Sequence, residues 1–387
     1  MTVTNAFLLP CEPIPSYESY VAAGGGQALV RVLRMPREQI VSEIIKSSLR
    51  GRGGAGFPTG LKWAGVAHDP CPTKYLVCNG SEGEPGSFKD RLLMRRNSYQ
   101  LLEGIAIAAF AIGVKKAFVG IKKSSKKEVQ RVSCALEEMA KANALGSVPI
   151  ELALGLEDYL FGEEKALLEV VEGRDPLRRE ADNPPYVKGL FITDPSEANP
   201  AVVNNVETLS NVPHIVLRGA YWFREIGTPD SPGTMLFTVC EDVQRPGVYE
   251  LPMGTPLRTL LYGYAGGSLP GRQFKAIHSG AANPVLLPSD LDTPLDFGSL
   301  RAIGSGLGSG GFIVYDETAC MVRVAQMLAK FLWIESCNQC WSCKQGGLEG
   351  HLIGAQSQGQ ESPNHAKHRH LRLPRKQPSA VTGERSQ

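Results

Sequence analysis

Between Leu49 and Trp63 the chain reads Leu-Arg-Gly-Arg-Gly-Gly-Ala-Gly-Phe-Pro-Thr-Gly-Leu-Lys-Trp, and no other stretch limits the possible folds so strongly. Glycines at 51, 53, 54, 56 and 60 are interleaved with Arg52 and Lys62. A loop of this composition adopts backbone conformations closed to other residues and brings bare N–H groups against a phosphate. Gly51-x-Gly53-x-x-Gly56 matches the dinucleotide fingerprint, but that fingerprint needs a strand before it and a helix after it. Here Ile40, Val41, Ile44, Ile45 and Leu49 fall on one face at helical spacing, so the loop follows a helix. An ordinary Rossmann turn is not expected. A plain surface loop would not need Phe57, Lys62 and Trp63 among its glycines.

At 387 residues the chain suits two or three domains with ample buried apolar surface. The longest nearly uncharged apolar run, Gly104 to Val114, is far short of the roughly 20 residues that cross a bilayer. No basic segment followed by an apolar one opens the chain, so a cytoplasmic location is expected. The formal charge is +2, but the stretch from Asn364 to Gln387 is basic; the body before it holds 35 Lys/Arg against 38 Asp/Glu. Such a balance does not suggest nucleic acid. Three of the nine cysteines crowd into Cys337-x-x-Cys340-x-x-Cys343, a spacing that suits metal ligation in a reducing compartment better than disulfides.

Residues 1–30 show no clear period and read as an irregular arm. Lys74 to Asn79 is a short apolar run stopped by turn residues, hence a buried strand. It runs into Gly80-Ser81-Glu82-Gly83-Glu84, and ligands of open α/β sheets bind beyond the carboxyl ends of strands. From Asn97 a helix is expected, then a strand at Lys116 to Ile121. A second helix follows, with Ser125 and Glu128 at capping-box spacing, and then a strand at Val148 to Leu154. That alternation implies a mostly parallel sheet with helices on both faces. Tyr159 to Leu168 opens another helix with Glu163 and Glu164, where acids favour the helix dipole. Asn204 and Asn205 are paired amides suited to a ring edge with mixed donors and acceptors. From Gly233 the order strand, turn, strand, helix (Pro256 to Tyr264), strand resembles a ubiquitin-like β-grasp module. A glycine-rich connection, 304 to 311, leads through a strand and a helix to Glu335-Ser336-Cys337.

The glycine loop, the Asn79 to Arg91 segment, Tyr159 to Leu168, Asn204-Asn205-Val206-Glu207-Thr208 and Glu335-Ser336-Cys337-x-x-Cys340-x-x-Cys343 occur in one order. Together they resemble the NADH-binding flavoprotein subunit of respiratory complex I, the F-subunit or 51-kDa type, and the diaphorase subunits of NAD-linked hydrogenases and formate dehydrogenases. The resemblance implies an α/β fold: a modified Rossmann-like FMN/NADH domain (31–226), a β-grasp domain (227–303) and a truncated helical iron–sulfur region (304–353), with a basic, disordered tail (354–387). It implies electron entry from NADH, with hydride passing to FMN and electrons leaving singly through a [4Fe–4S] cluster. Implied partners are NADH and the other subunits of a redox complex, including a thioredoxin-like [2Fe–2S] subunit, with membrane contact only through partners. By position, Gly51, Arg52, Gly53, Gly54, Lys62, Asn79, Ser81, Asn204, Asn205 and Thr208 would hold FMN. Phe57, Glu82, Glu84, Tyr159, Glu163, Glu164 and Tyr186 would lie along NADH, the carboxylates favouring ribose diols over a 2′-phosphate. Cys337, Cys340 and Cys343 would bind the cluster.

The chain departs from that pattern in places. It has Asn79-Gly80-Ser81-Glu82 where the family usually has Asn-Ala-Asp-Glu, and no cysteine follows Cys343, so the fourth cluster ligand is missing. His351, His365, His368 and His370 are the available substitutes, in a stretch that reads as truncated or frame-shifted. Two other readings stay open from sequence: a degenerate scaffold without redox chemistry, and a zinc-binding interaction module.

Overall fold

The computed structural model describes residues 7–179, 183–194, 196–341 and 345–357; Cys343, His365, His368, His370 and residues 358–387 of the expected tail lie outside these, while 354–357, expected to be disordered, continue a helix. The segment expected to be irregular contains two short helices, α1 (Tyr17–Ala22) and α2 (Gln27–Val32). Each spans too few turns to display a period, and they are held from outside. The buried Glu103 carboxylate accepts the Tyr20 hydroxyl, the Gly26 N–H (3.0 Å) and the Leu29 N–H (2.9 Å).

Helices α3 (Arg37–Ser47) and α4 (Thr59–Ala67) flank the glycine loop, which does follow a helix. The strand β1 (Tyr75–Asn79) is succeeded by α5 (Lys89–Arg96) and α6 (Ser98–Ile112), a break at Asn97 where one helix was expected to begin. Next come β2 (Lys116–Lys122), α7 (Lys126–Lys141), β3 (Ile150–Gly155), α8 (Glu164–Val171), β4 (Ala201–Asn205), α9 (Val206–Arg218) and α10 (Ala220–Arg224). The capping box at Ser125 does not form. Its hydroxyl makes no cap bond, and Glu128 turns instead to Arg95 at 3.2 Å, a guanidinium being the stronger partner.

Strands β1 to β4 form one parallel sheet in the order β3-β2-β1-β4. Period-two alternation assigns each strand to two cores. Leu76, Cys78, Ala117, Val119 and Val202 face the helices around α6; Tyr75, Val77, Phe118, Ala201 and Val203 face α8 with Phe161 and Leu167. Covering on both sides explains the unbroken apolar run of β1. Helix α6 is buried almost all round, and a Cβ at Gly104 would lie 2.0 Å from the Leu209 carbonyl oxygen, so glycine lets α9 cross it closely.

A two-strand ribbon, β5 (Gly227–Thr228) with β6 (Ser231–Pro232), leads to a second sheet of β7 (Thr234–Glu241), β8 (Gly247–Pro252), β9 (Phe274–His278) and β10 (Gly311–Asp316). Its order is β8-β7-β10-β9, with β7 and β10 parallel and both outer pairs antiparallel. The helix expected over Pro256 to Tyr264 is a wide single turn over Thr259–Tyr264, and α11 (Phe297–Ala302) lies beyond β9. Met235, Phe237 and Val239 enter this sheet's own core, while Leu236 joins the first core. The even-numbered side of β7 thus docks the two sheets. Finally α12 (Met321–Glu335) packs with α13 (Gly347–Ser357), where Trp333 stacks on His351 at 6.2 Å. Among the described residues no helix is long and apolar enough to cross a membrane.

Candidate active site

The first sheet runs outward from β1 in both directions, through β2 to β3 on one side and to β4 on the other. The carboxyl ends of β1 and β4 therefore border a topological switch point, where doubly wound sheets leave a crevice. Register pairs Asn79 with Asn205 there, side by side at the two strand ends. Above them opens a cleft of about 790 Å³, lined among others by Gly53, Asn79, Ser81, Glu82, Glu84, Tyr159, Glu163 and Asn205. That volume lies within the roughly 300–1,000 Å³ of small-molecule sites.

The glycine loop reaches the crevice as a closed turn, with Gly51 N–H donating to Phe57 O at 2.9 Å and Arg50 bridging Pro58. Gly53 passes Asn205 so closely that a Cβ would lie 3.2 Å from the Asn205 Cβ. Gly54, at φ +130°, holds a conformation that disfavours side chains. Lys62 projects from α4 and pairs with Glu164 while donating to Val203 O at 3.1 Å. Arg52 points away from the cleft: its guanidinium is fully buried and donates to Pro232 O at 2.7 Å, while its backbone N–H donates to Thr208 Oγ1 at 2.8 Å. Burial pulls the Arg52 pKa down to about 10, Glu207 opposing. Asn204 also faces inward, accepting Trp63 Nε1–H at 2.7 Å.

The carboxylates expected along a ribose are engaged by the protein itself. Glu82 accepts Ser87 Oγ–H at 2.8 Å and the Asp90 and Arg91 N–H groups at 3.2 and 3.1 Å, so it caps the start of α5. Glu84 accepts the Tyr159 hydroxyl and, at 2.7 Å, the Ala281 N–H, tying the first sheet's loop to the second unit. Burial, reinforced by Glu84, keeps Tyr159 protonated well above the usual tyrosine range. Glu163 caps α8 through the Ala166 N–H at 2.9 Å, with Arg178 Nε 4.0 Å away. Phe57 and Tyr186 are exposed and do not border the cleft.

Sequence reasoning missed part of the wall. Lys89, Asp90 and Glu207 form a buried ion cluster, Asp90 lining the cleft. A lysine and an aspartate in sequence carried no distinctive signal. Glu335, at the end of α12, accepts the Tyr159 N–H at 2.9 Å and brings Ser336 and Cys337 onto the same cleft. Cys340 is exposed, and among the described residues no group of three or more His, Cys, Asp or Glu is placed to hold a metal ion.

A flavin fits this donor set. The close backbone approach at Gly53, the N–H left on each strand-end amide and the buried Ser309 hydroxyl, unpartnered among the described residues, suit a polar ring edge; Asn79 otherwise donates to Gly162 O at 2.8 Å and accepts the Ser81 Oγ–H at 2.6 Å. Fold and site together define a nucleotide-binding α/β protein with its ligand crevice at a sheet switch point. Residues 44–214 match the family model of the Nuo51 FMN-binding domain. The chain is 44% identical over 338 residues to the NADH-quinone oxidoreductase F 2 subunit of Rhizobium meliloti (85% of this chain, 79% of the relative). It is 41% identical to the F subunit of the Aquifex aeolicus NADH-quinone oxidoreductase (87% and 78%). To HndC, a subunit of the NADP-reducing hydrogenase of Solidesulfovibrio fructosivorans, it is 36% identical (86% and 68%). Among solved structures it resembles an NAD⁺-reducing [NiFe]-hydrogenase in the H₂-reduced state, with TM-score 0.79 and 34% identity over 92% of this chain; it spans 60% of that longer chain. The chain belongs to the F-subunit family of NADH-quinone oxidoreductases.

Proposed function

We propose that this chain is the electron-entry subunit of an NADH dehydrogenase complex, passing hydride from NADH to FMN, with electrons then leaving one at a time toward a quinone-reducing or other partner. The observation that carries this is the meeting of Asn79, Asn205 and Gly53 at one switch point, with Cys337 on the same cleft. Gly51, Gly53, Gly54, Asn79, Ser81 and Asn205 would hold the flavin. Bound FMN supplies the two-electron acceptor and one-electron donor that side chains cannot. The protein's own part is binding, orientation and field: backbone N–H groups toward phosphate, Lys62 as a nearby cation, and Glu82, Glu84, Glu163 and Glu164 placing negative charge where a 2′-phosphate would need neutralising. Glu84 and Glu163 would exchange their internal hydrogen bonds for ribose hydroxyls, and Tyr159 would flank the nucleotide.

The order of the second sheet supports a β-grasp reading that starts at 227 as expected but runs on past 303, because its central strand β10 (Gly311–Asp316) lies beyond that bound, and α12 with α13 supports a helical region after it. The three cysteines would cap three irons of a [4Fe–4S] cluster. That triplet supplies three of the four ligands such a cluster takes. Partner subunits, a [2Fe–2S] protein among them, would receive the electrons in the cytoplasm at the membrane's periphery.

Acid release of the flavin followed by chromatography tests the core of this reading, with one FMN per chain expected; FAD, or no flavin on folded protein, refutes it. Ferricyanide reduction should favour NADH over NADPH. Equal kcat/KM would align the chain with its NADP-reducing relative and remove the carboxylates from the ribose site. Iron and sulfide analysis with EPR after reconstitution should show substoichiometric iron; a cluster that survives gel filtration would mean that three cysteines and a local ligand suffice.

A further inference from the structure

The cleft floor is built on ionised groups that carry no nucleotide-binding motif. Lys89 and Glu207 are fully buried and Asp90 is 4% exposed. Lys89 Nζ lies 2.9 Å from Asp90 Oδ1 and 2.7 Å from Glu207 Oε2. Asn205 is gripped from both sides: its Oδ1 accepts the Glu207 N–H at 2.9 Å, and its Nδ2 donates to Asp90 Oδ2 at 2.6 Å. Turning that amide over would set its oxygen against a carboxylate and its NH₂ against an N–H, so the orientation is fixed. Asp90 takes one N–H of the amide; a second remains on a residue that lines the cleft.

We propose that Asp90 is a positioning residue for the flavin: it locks Asn205 so that the amide offers a donor to the cleft, and its carboxylate, clamped by Lys89, tunes the potential at which the flavin is reduced. This rests on the FMN reading above. Reduction adds electron density to the ring, which a carboxylate on the floor opposes and the buried ammonium favours. The charged and titratable groups facing Asp90 are Lys89 on its own helix, Glu82 from the β1 loop, Glu207 on α9 and the Cys78 thiol in β1. Burial raises Asp90 to about 6; Lys89 works against this, Glu82 and Glu207 with it. The geometry agrees in direction, since one ammonium serves two contacting carboxylates. Cys78, pushed well above its ordinary range by burial and then by Asp90, stays a neutral thiol. The field at the flavin therefore changes with pH through Asp90.

The test is potentiometric titration of the FMN-loaded full chain at pH values on both sides of 6, for the wild type, Asp90→Asn and Asp90→Glu. In the wild type the flavin midpoint should change slope with pH near 6. Asp90→Asn should lose that break, move the neutral-pH midpoint to more positive potential and weaken FMN binding about tenfold, the loss expected for one charge-assisted hydrogen bond. Asp90→Glu should restore the break. If Asp90→Asn does not fold, reduced-minus-oxidised infrared difference spectra of wild-type protein labelled at aspartate carboxyls give the answer instead. A pH-dependent aspartate band upholds the proposal, and its absence overturns it. A variant that binds FMN with the wild-type midpoint and break overturns the proposal alone, leaving the FMN assignment intact. Wild-type protein that takes up no FMN overturns the functional reading and this inference with it.

Discussion

The cleft has a floor and a rim, and both carry a basic residue facing a carboxylate. On the floor, Lys89 and Glu207 are 2.7 Å apart with no side-chain exposure; at the rim, Arg178 and Glu163 are 4.0 Å apart and 50% and 35% exposed. Water decides what each pair does. The floor pair has no solvent to fall back on, so it holds together the end of β4, the start of α9 and the start of α5. At the rim either group can leave its partner at little cost, an exposed ion pair contributing about 0–1 kcal/mol, and can turn to an incoming ligand. One region is built before ligand arrives; the other is free to respond.

The largest way to break this contrast is Lys89→Met, which strands two buried carboxylates. Removing one partner of a buried pair costs about 3–5 kcal/mol, so the urea midpoint should fall steeply or the protein should fail to fold. A midpoint like the wild type's would mean that the floor is not structural. Gly104→Ala comes next, because the added methyl meets the Leu209 carbonyl and pushes away the helix that carries Glu207. Overpacking of this kind costs about 1–3 kcal/mol, and a crystal structure should show α9 displaced from α6.

The pH dependence of stability sharpens the same point. Asp90 has its folded pKa raised from 3.8 to about 6, so its contribution is complete below 3.8 and is lost as pH rises through about 6. Asp90→Asn should flatten the wild-type decline across that window in denaturant titrations, whereas rim variants should leave it unchanged. The smallest stability effect is expected for Glu163→Gln, within about 0.5 kcal/mol, because glutamine keeps an oxygen to cap α8. Its consequence should appear in turnover instead, as a lower NADH kcat/KM and a narrower NADH-to-NADPH ratio in ferricyanide assays. An unchanged ratio would deny the rim its ligand role.

Much of the first sheet was legible because each of its elements carries its own period. The run from Tyr75 to Cys78, the strand from Lys116 and the placing of the glycine loop after a helix all match the fold. Strand β4 was not legible as a strand. Its apolar part, Ala201 to Val203, is short and passes at once into Asn204 and Asn205, whose polarity draws attention to chemistry and away from the backbone. Arg52 was expected at the ligand because glycine neighbours make a cation look like a phosphate anchor. Burial against Pro232 turned it inward, and sequence carries no signal for that direction.

By itself the sequence determined which segments are apolar on which face, where the chain must turn through glycine, and that three cysteines recur at every third position from Cys337. These are local properties, set within a few residues by sterics and by the periods of helix and strand. Only the tertiary structure decided that Asn79 stands beside Asn205, that Asp90 grips an amide 115 residues away, and that the end of α12 closes over Tyr159. A period says that a face is to be buried but not what will cover it. Whether a charged side chain becomes a ligand, a cap or a buried strut depends on how much water the finished packing leaves around it.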